Sequence, residues 1–249
     1  MIRLQDVSVA YGPRTILNHV NLTIYDGETL GILGASGSGK STILRLIIGL
    51  QKPTDGRIFI DDVDVTDFNE DEMDTVRLHM GMVFQYSALF DSMTVGENVA
   101  FGLRQHRKMT EDEIMRIVRE KLNLVGLHDV EAMMPNDLSG GMKKRVSLAR
   151  AIALDPKMIL YDEPTAGLDP LRSMDINRLI VNTQRQLHTT SIIVTHDMES
   201  AFYVADRLAF LEDGQFRLIA DKDTFRQTED THIQEFIHGG MWKKGEMTT

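Results

Sequence analysis

The 249-residue chain contains no cysteine at all. That excludes disulfides and thiolate-held metals, and it fits a reducing compartment. No apolar run approaches the roughly 18 residues that a membrane-crossing helix needs, and the N-terminus lacks the charged and apolar regions of a secretory leader. Positive charge is in deficit: 27 Lys and Arg against 37 Asp and Glu give a formal net charge of -10. A general nucleic-acid binder needs a basic surface, so nucleic acid is not an expected partner. No internal repeat or low-complexity linker is visible. The composition, 42% hydrophobic and 26% charged, is that of an ordinary folded chain, long enough to bury a full core. The expected location is the cytoplasm.

Against these absences one stretch stands out: Gly34-Ala35-Ser36-Gly37-Ser38-Gly39-Lys40-Ser41, followed by Thr42. An apolar run, Thr29 to Leu33, precedes it and another, Ile43 to Ile48, follows. The layout is strand, glycine-rich loop, helix, which is the context that G-x-x-x-x-G-K-[ST] requires. Glycines at 34, 37 and 39 let several main-chain N–H groups converge on one anion, and the helix start adds partial positive charge. Lys40 is placed to reach β- and γ-phosphates, and the Ser41 hydroxyl to ligate Mg²⁺. The pattern predicts a nucleoside triphosphate site.

Taken in order, Arg3 to Val9 and Val20 to Tyr25 alternate as half-buried strands, with Asp26-Gly27 as a turn. Pro53 to Gly56 is turn chemistry and Arg57 to Ile60 a short strand, which suggests a small antiparallel sheet beside a parallel core. Tyr11, in the loop after the first strand, is either a half-buried loop tyrosine or a face on which adenine stacks. Met80 to Phe84 is apolar and ends at Gln85. From Tyr86 to Asp137 the pattern becomes helical. Thr94-x-x-Glu97 and Thr110-x-x-Glu113 are capping boxes, and Ile114, Ile117, Val118, Leu122 and Val125 recur at helical spacing before Gly126. Leu138-Ser139-Gly140-Gly141-Met142 then opens a helix running to Asp155-Pro156. Its start is a second phosphate-type helix terminus or simply a serine N-cap. Met158 to Tyr161 reads as a buried strand ending in Asp162-Glu163. Asp162 suits Mg²⁺, and Glu163 can deprotonate a water aimed at a γ-phosphate. Pro164 to Pro170 is a tight loop before a helix over Leu171 to Leu187. Ser191 to Thr195 is a β-branched strand ending in His196, a candidate γ-phosphate contact. A helix over Met198 to Asp206, a hairpin about Asp213-Gly214, an amphipathic stretch from Phe225 to Ile237 and a polar tail from Gly239 complete the expectation.

Tyr11, the loop at 34–41, Gln85, the Leu138–Met142 stretch, Asp162-Glu163, Leu168-Asp169 and His196 together resemble an ABC-transporter ATPase subunit from end to end. They match, in order, the family's aromatic loop, Walker A, Q-loop, signature, Walker B with glutamate, D-loop and H-loop. The resemblance implies an α/β fold: a P-loop NTPase, RecA-like parallel sheet core with an N-terminal antiparallel β-subdomain and an inserted α-helical subdomain. One domain would span 1–239. Residues 1–85 and 156–239 would form core plus β-subdomain, 86–155 the helical subdomain with the signature, and 240–249 a short tail. It further implies catalytic roles for Glu163, His196 and Gln85, and Mg²⁺ held by Ser41, Gln85 and Asp162. ATP would contact Tyr11, residues 34 to 42 and, from a second copy of the chain, Ser139, Gly140 and Gly141. A membrane permease would dock near Gln85, holding the protein on the inner face of the cell membrane. Met142 stands where glutamine is more usual. The 84–106 stretch and the Leu-Ser-Gly-Gly-Met signature are similar to the Mla-type ATPases, which serve phospholipid trafficking with permeases and MCE-domain proteins. The apolar Ala88-Leu89-Phe90 would either meet the permease or join the helical core. An importer ATPase for a small polar solute or ion is the alternative reading, and a soluble non-transport ABC ATPase a third.

Overall fold

The structure, a computed structural model, describes residues 1–238. The expected polar tail and the boundary at 239 lie outside the described residues. The strands are β1 (Ile2–Tyr11), β2 (Arg14–Ile24), β3 (Thr29–Leu33), β4 (Asp55–Ile60), β5 (Val63–Asp64), β6 (Met80–Val83), β7 (Met158–Asp162), β8 (Thr190–Thr195), β9 (Arg207–Glu212) and β10 (Gln215–Asp221). The α-helices are α1 (Lys40–Ile47), α2 (Glu70–Arg77), α3 (Val95–His106), α4 (Glu111–Leu124), α5 (Gly140–Ala151), α6 (Pro170–Leu187), α7 (Met198–Val204), α8 (Lys222–Arg226) and α9 (Thr231–Ile237).

Two sheets result. One is four-stranded and antiparallel, in the order β2-β1-β4-β5; the other is six-stranded, in the order β10-β9-β3-β8-β7-β6. Within the second, β9, β3, β8, β7 and β6 run parallel, and β10 adds an antiparallel edge. Strand β3 is buried throughout, as is β8. Near-continuous apolar runs are what a parallel sheet covered on both faces demands. Side chains alternate between two cores. Ile32, Leu160, Ile192 and Val194 pack with α1 and the antiparallel sheet. Ile159, Tyr161 and Ile193 pack with α3, α4, α5 and α6. A third cluster joins Leu33, Leu208 and Phe210 to Phe225 and Ile233.

The α/β architecture is the expected one, and both capping boxes form. Thr94 and Thr110 accept from the amides of Glu97 and Glu113, whose carboxylates return to the cap residues. Several boundaries differ. Tyr11 ends β1 instead of lying beyond it, because β1 and β2 pair down to Tyr11 and Arg14. Strand β2 accordingly begins at Arg14, not Val20. Bulges with Asp6 and His19 at positive φ break the alternation along this ribbon, which hides its length from a period-two reading. Helix α2 and β5 were not anticipated; α2 starts at an Asn69–Glu72 capping box, a signal present in the sequence. Helix α7 stops at Val204, before Asp206. The amphipathic stretch 225–237 is two short helices, since Asp230 caps a new start and the Gln234 amide binds the Arg226 and Thr228 carbonyls across the break.

The segment after Gln85 is fixed from below. Ser87 and Ala88 both take left-handed conformations, φ 64° and 47°, a costly pair for residues with a Cβ. Arg150 donates to both of their carbonyls. Asn98, fully buried, accepts from the Phe90 amide at 2.8 Å and reaches the Phe90, Met93 and Thr94 carbonyls at 3.0–3.1 Å. Of the Ala88-Leu89-Phe90 cluster, only part joins the helical core. Leu89 packs on the helical core, whereas Phe90 is 41% exposed and packs at a tilt against Phe101. Replacing Asn98 by Ala strands these buried polar groups, so Asn98→Ala lowers unfolding free energy by about 2–4 kcal/mol in urea titrations.

Candidate nucleotide site

The parallel register sets the site. Leu33 pairs with Thr195, and Asp162 with Val194. The next residue on each strand, Gly34, His196 and Glu163, therefore leaves the sheet along one edge, the carboxyl edge where ligands of such sheets bind.

From Gly34 the chain turns over a short loop into α1. Residues Ala35, Ser36 and Gly37 form its exposed tip. Glycine is required at 34, where a Cβ would stand 2.3 Å from the Leu211 carbonyl oxygen, and at 39, where φ is 106°. Gly39 is the cap residue of α1, and no side chain bonds the first turn. Among the described residues α1 is the exception: each of the other eight α-helices has a capping side chain. The amides at the start of α1, around Lys40, Ser41 and Thr42, are thus left for an anion. Ser38 Oγ is buried and unpartnered beside them.

Lys40 is 6% exposed and donates to the Gly34 and Ala35 carbonyls at 2.8 and 3.0 Å. Its Nζ lies 4.0 Å from Glu163 Oε1. Burial pushes its pKa down, and Glu163 and Asp162 oppose that. Ser41 donates to Asp162 at 2.8 Å. Burial raises the Asp162 pKa, and the neighbouring Glu163 charge adds to this against the Ser41 hydrogen bond. Glu163 sits in a left-handed conformation, φ 46°. Its carboxylate accepts from Thr195 Oγ1 at 3.1 Å and meets His196 Nδ1 at 3.0 Å.

Gly34, Ala35, Lys40, Ser41, Asp162, Glu163 and His196 are therefore one constellation. Among the described residues, Tyr11 and the Ser139–Gly141 stretch are not joined to it by hydrogen bonds or ion pairs, and Gln85 reaches it only through Lys144. Tyr11 is 57% exposed at the tip of the β1–β2 ribbon, which removes the half-buried reading. Ser139 caps α5 through the Met142 amide, with Gly140 exposed beside it. Gln85 is tethered by its main chain, its carbonyl accepting from Lys144. Thr195 and Lys144 escaped the sequence reading. Thr195 was legible as the residue before His196 on one strand. For Lys144 the one signal was its spacing, four residues before Leu148 on the buried face of α5, which does not reveal what it bonds.

Oxygen ligands side by side, one carrying a desolvated negative charge, suit a small hard cation such as Mg²⁺. The chemistry of the protein alone leaves a cost here. A carboxyl whose folded pKa is raised contributes stability below its unfolded value, 3.8, that is lost as pH rises through the folded value. Asp162→Asn is therefore expected to raise the Tm of the metal-free, nucleotide-free protein at pH 7, by about 2–4 °C per kcal/mol relieved. The gain should shrink toward pH 4 in calorimetry.

The family model described as ABC transporter matches residues 17–166. The chain is 40% identical over 238 residues to the probable ribonucleotide transport ATP-binding protein mkl of Mycobacterium tuberculosis (strain ATCC 25618 / H37Rv), covering 96% of this chain and 66% of that protein's length. It is 38% identical over 239 residues to the intermembrane phospholipid transport system ATP-binding protein MlaF of Haemophilus influenzae, covering 96% and 90%. Among solved structures, the dimeric post-hydrolysis state of the ATP-binding cassette MJ0796 bound to ADP and Pi is similar at TM-score 0.82 and 35% identity, over 89% of this chain and 98% of that one. With its phosphate loop, acidic pair and histidine on one sheet edge, the chain belongs to the ABC transporter family, as one of its ATPase cassettes.

Proposed function

We propose that the chain is the motor subunit of a membrane transporter that moves phospholipid, working as a homodimer around two ATP molecules. The observation that carries the motor reading is the constellation at the sheet edge: an uncapped helix start, a buried lysine, a Ser41–Asp162 pair and a Glu163–His196 pair. The similarity to MlaF, across 90% of that protein's length, supports lipid as the cargo.

In this reading the triphosphate lies along residues 34–42. Lys40 exchanges the Gly34 and Ala35 carbonyls for β- and γ-phosphate oxygens, a stronger, charge-assisted set of partners. Tyr11, free of the core, stacks on adenine. Ser41 and Asp162, with Gln85, hold Mg²⁺, which neutralises phosphate charge when bound. Glu163 orients a water and takes its proton, and His196 fixes the carboxylate and contacts the γ-phosphate. Ser139, Gly140 and Gly141 come from the second copy and close over the same nucleotide. The segment after Gln85, with Tyr86 87% exposed, faces a permease. No helix of the described residues is long and apolar enough to cross a membrane, so attachment to the inner face of the cell membrane, on the cytoplasmic side, comes through that permease. An MCE-domain lipid-binding protein completes the assembly.

Glu163→Gln should keep ATP affinity, lose about 10²–10⁴-fold in turnover, and accumulate dimers in sizing chromatography. Turnover near the parent value would remove Glu163 from the base role. A second reading is favoured by one observation: the chain is 42% identical over 225 residues to the methionine import ATP-binding protein MetN 2 of Rhodococcus jostii. Purification from native membranes separates the two. An MCE-domain protein among the copurifying subunits is expected for phospholipid traffic, and a solute-binding protein instead would indicate import of a small polar solute.

A further inference from the structure

Lys144 lies on α5, five residues beyond Ser139, and is 7% exposed. Its Nζ donates to the Gln85 carbonyl and, at 3.5 Å, to the Glu163 carbonyl. The stem runs beside a small cavity whose lining includes Val83, Leu148 and Ile180, apolar side chains that offer an ammonium no hydrogen-bond partner. Burial pushes the Lys144 pKa down, while Glu163 and Asp162 oppose that shift. A desolvated charge is tolerated only where its partners hold it, so it constrains them in return.

Both partners belong to segments with other tasks. The Glu163 carbonyl also accepts from the Ala166 amide at 3.1 Å, and Glu163 itself is at positive φ. Its main chain therefore follows its hydrogen-bond partners instead of a conformational preference. The Gln85 carbonyl opens the segment that Asn98 and Arg150 hold as one rigid piece from Ser87 to Thr94. A displacement of Gln85 would thus move that whole piece.

We propose that Lys144 is a positioning residue that couples the nucleotide edge at Glu163 to the exposed segment following Gln85. The inference rests on the reading of Glu163 and the Gln85 segment given above. When Lys40 turns from Glu163 to the phosphates and the carboxylate, still held by His196, takes up a nucleotide-bound water, the Glu163 carbonyl shifts, and the shared ammonium carries the shift to the Gln85 carbonyl. Because the same helix starts at Ser139, the lysine also ties a chain's own Glu163 to the surface it offers to a second copy.

The absence of cysteine makes the test clean. Tyr86→Cys creates one exposed attachment point for an environment-sensitive fluorophore on the moving segment. ATP without Mg²⁺ should change its emission in the Lys144 background. In Lys144→Met the amplitude should fall at least fivefold while affinity, read separately with a fluorescent ATP analogue, stays within threefold. An unchanged amplitude, or no response in the Lys144 background despite ATP binding, would overturn the coupling. Should Lys144→Met fail to fold by circular dichroism, Lys144→Gln serves, since a shorter neutral amide cannot span both carbonyls; a full response there overturns the proposal equally. Loss of ATP binding in the Lys144 background would instead remove the nucleotide-site reading, and this inference with it.

Discussion

The register of β3, β8 and β7 is held by packing on both faces of the sheet, and everything reactive depends on it. Ile159, Tyr161 and Ile193 face the helices α3 to α6, whereas Leu160, Ile192 and Val194 face α1 and the antiparallel sheet. A slip of one residue would exchange these sets and bury each in the wrong core. The same register sets Leu33 against Thr195 and Asp162 against Val194. Core packing thereby determines that a phosphate loop, a carboxylate pair and a histidine emerge side by side, although they are far apart in sequence.

At that edge four charged side chains are withdrawn from water. Lys40 and Lys144 have depressed pKa values and Asp162 a raised one, with burial the leading cause in each case. Removing charge from water costs free energy that hydrogen bonds and opposite charges only partly return. Two ammonium groups stand against two carboxylates, so the local balance is near neutral, but each group's own bonds are with carbonyls, hydroxyls and an imidazole. These are partners that a triphosphate and a divalent cation can outcompete. Apolar replacements of buried charges are often neutral or stabilising, so these groups are better explained by the chemistry they can perform than by stability.

Much of this was legible in the sequence because it is written in short-range rules. The strand–loop–helix around Lys40, the capping boxes at Thr94 and Thr110, and the Asp213-Gly214 hairpin are each set by neighbours within a few residues. The Glu163–His196 contact was legible only as two strand ends expected on one edge; their bond depends on β7 and β8 being adjacent. What was not legible rests on distant partners. The bulges at Asp6 and His19 disrupt alternation, so β2 appeared six residues too short. Lys144 looks like one more charge in a Lys-Lys-Arg run until Gln85 and Glu163 arrive from two other segments. The break between α8 and α9 is stitched by Gln234, whose pattern position reads as an ordinary polar face.

The two glycine-bearing helix starts divide a task that the sequence presents as repeated. At α1 the cap position is Gly39, left-handed and without a side-chain acceptor, so the first turn is open and Ser38 Oγ waits unbonded beside it. At α5 Ser139 accepts from the Met142 amide, which satisfies one of the orphan donors internally. A helix start with its own cap presents less uncompensated charge than one without. It suits a surface that remains exposed until something closes on it. Gly140 contributes there by absence: a Cβ at that position would meet only Leu168, at 3.7 Å, on the loop that leads into α6. That loop ends at Asp169, the cap of α6, and the next residues, Pro170 and Leu171, are exposed, Leu171 at 80%. The start of α5 and the start of α6 thus lie together as one surface with small residues, an exposed leucine and partly used amides. Such a surface is compatible with the proposal that Ser139 to Gly141 meet the nucleotide of a neighbouring copy while residues 34–42 bind the chain's own ATP.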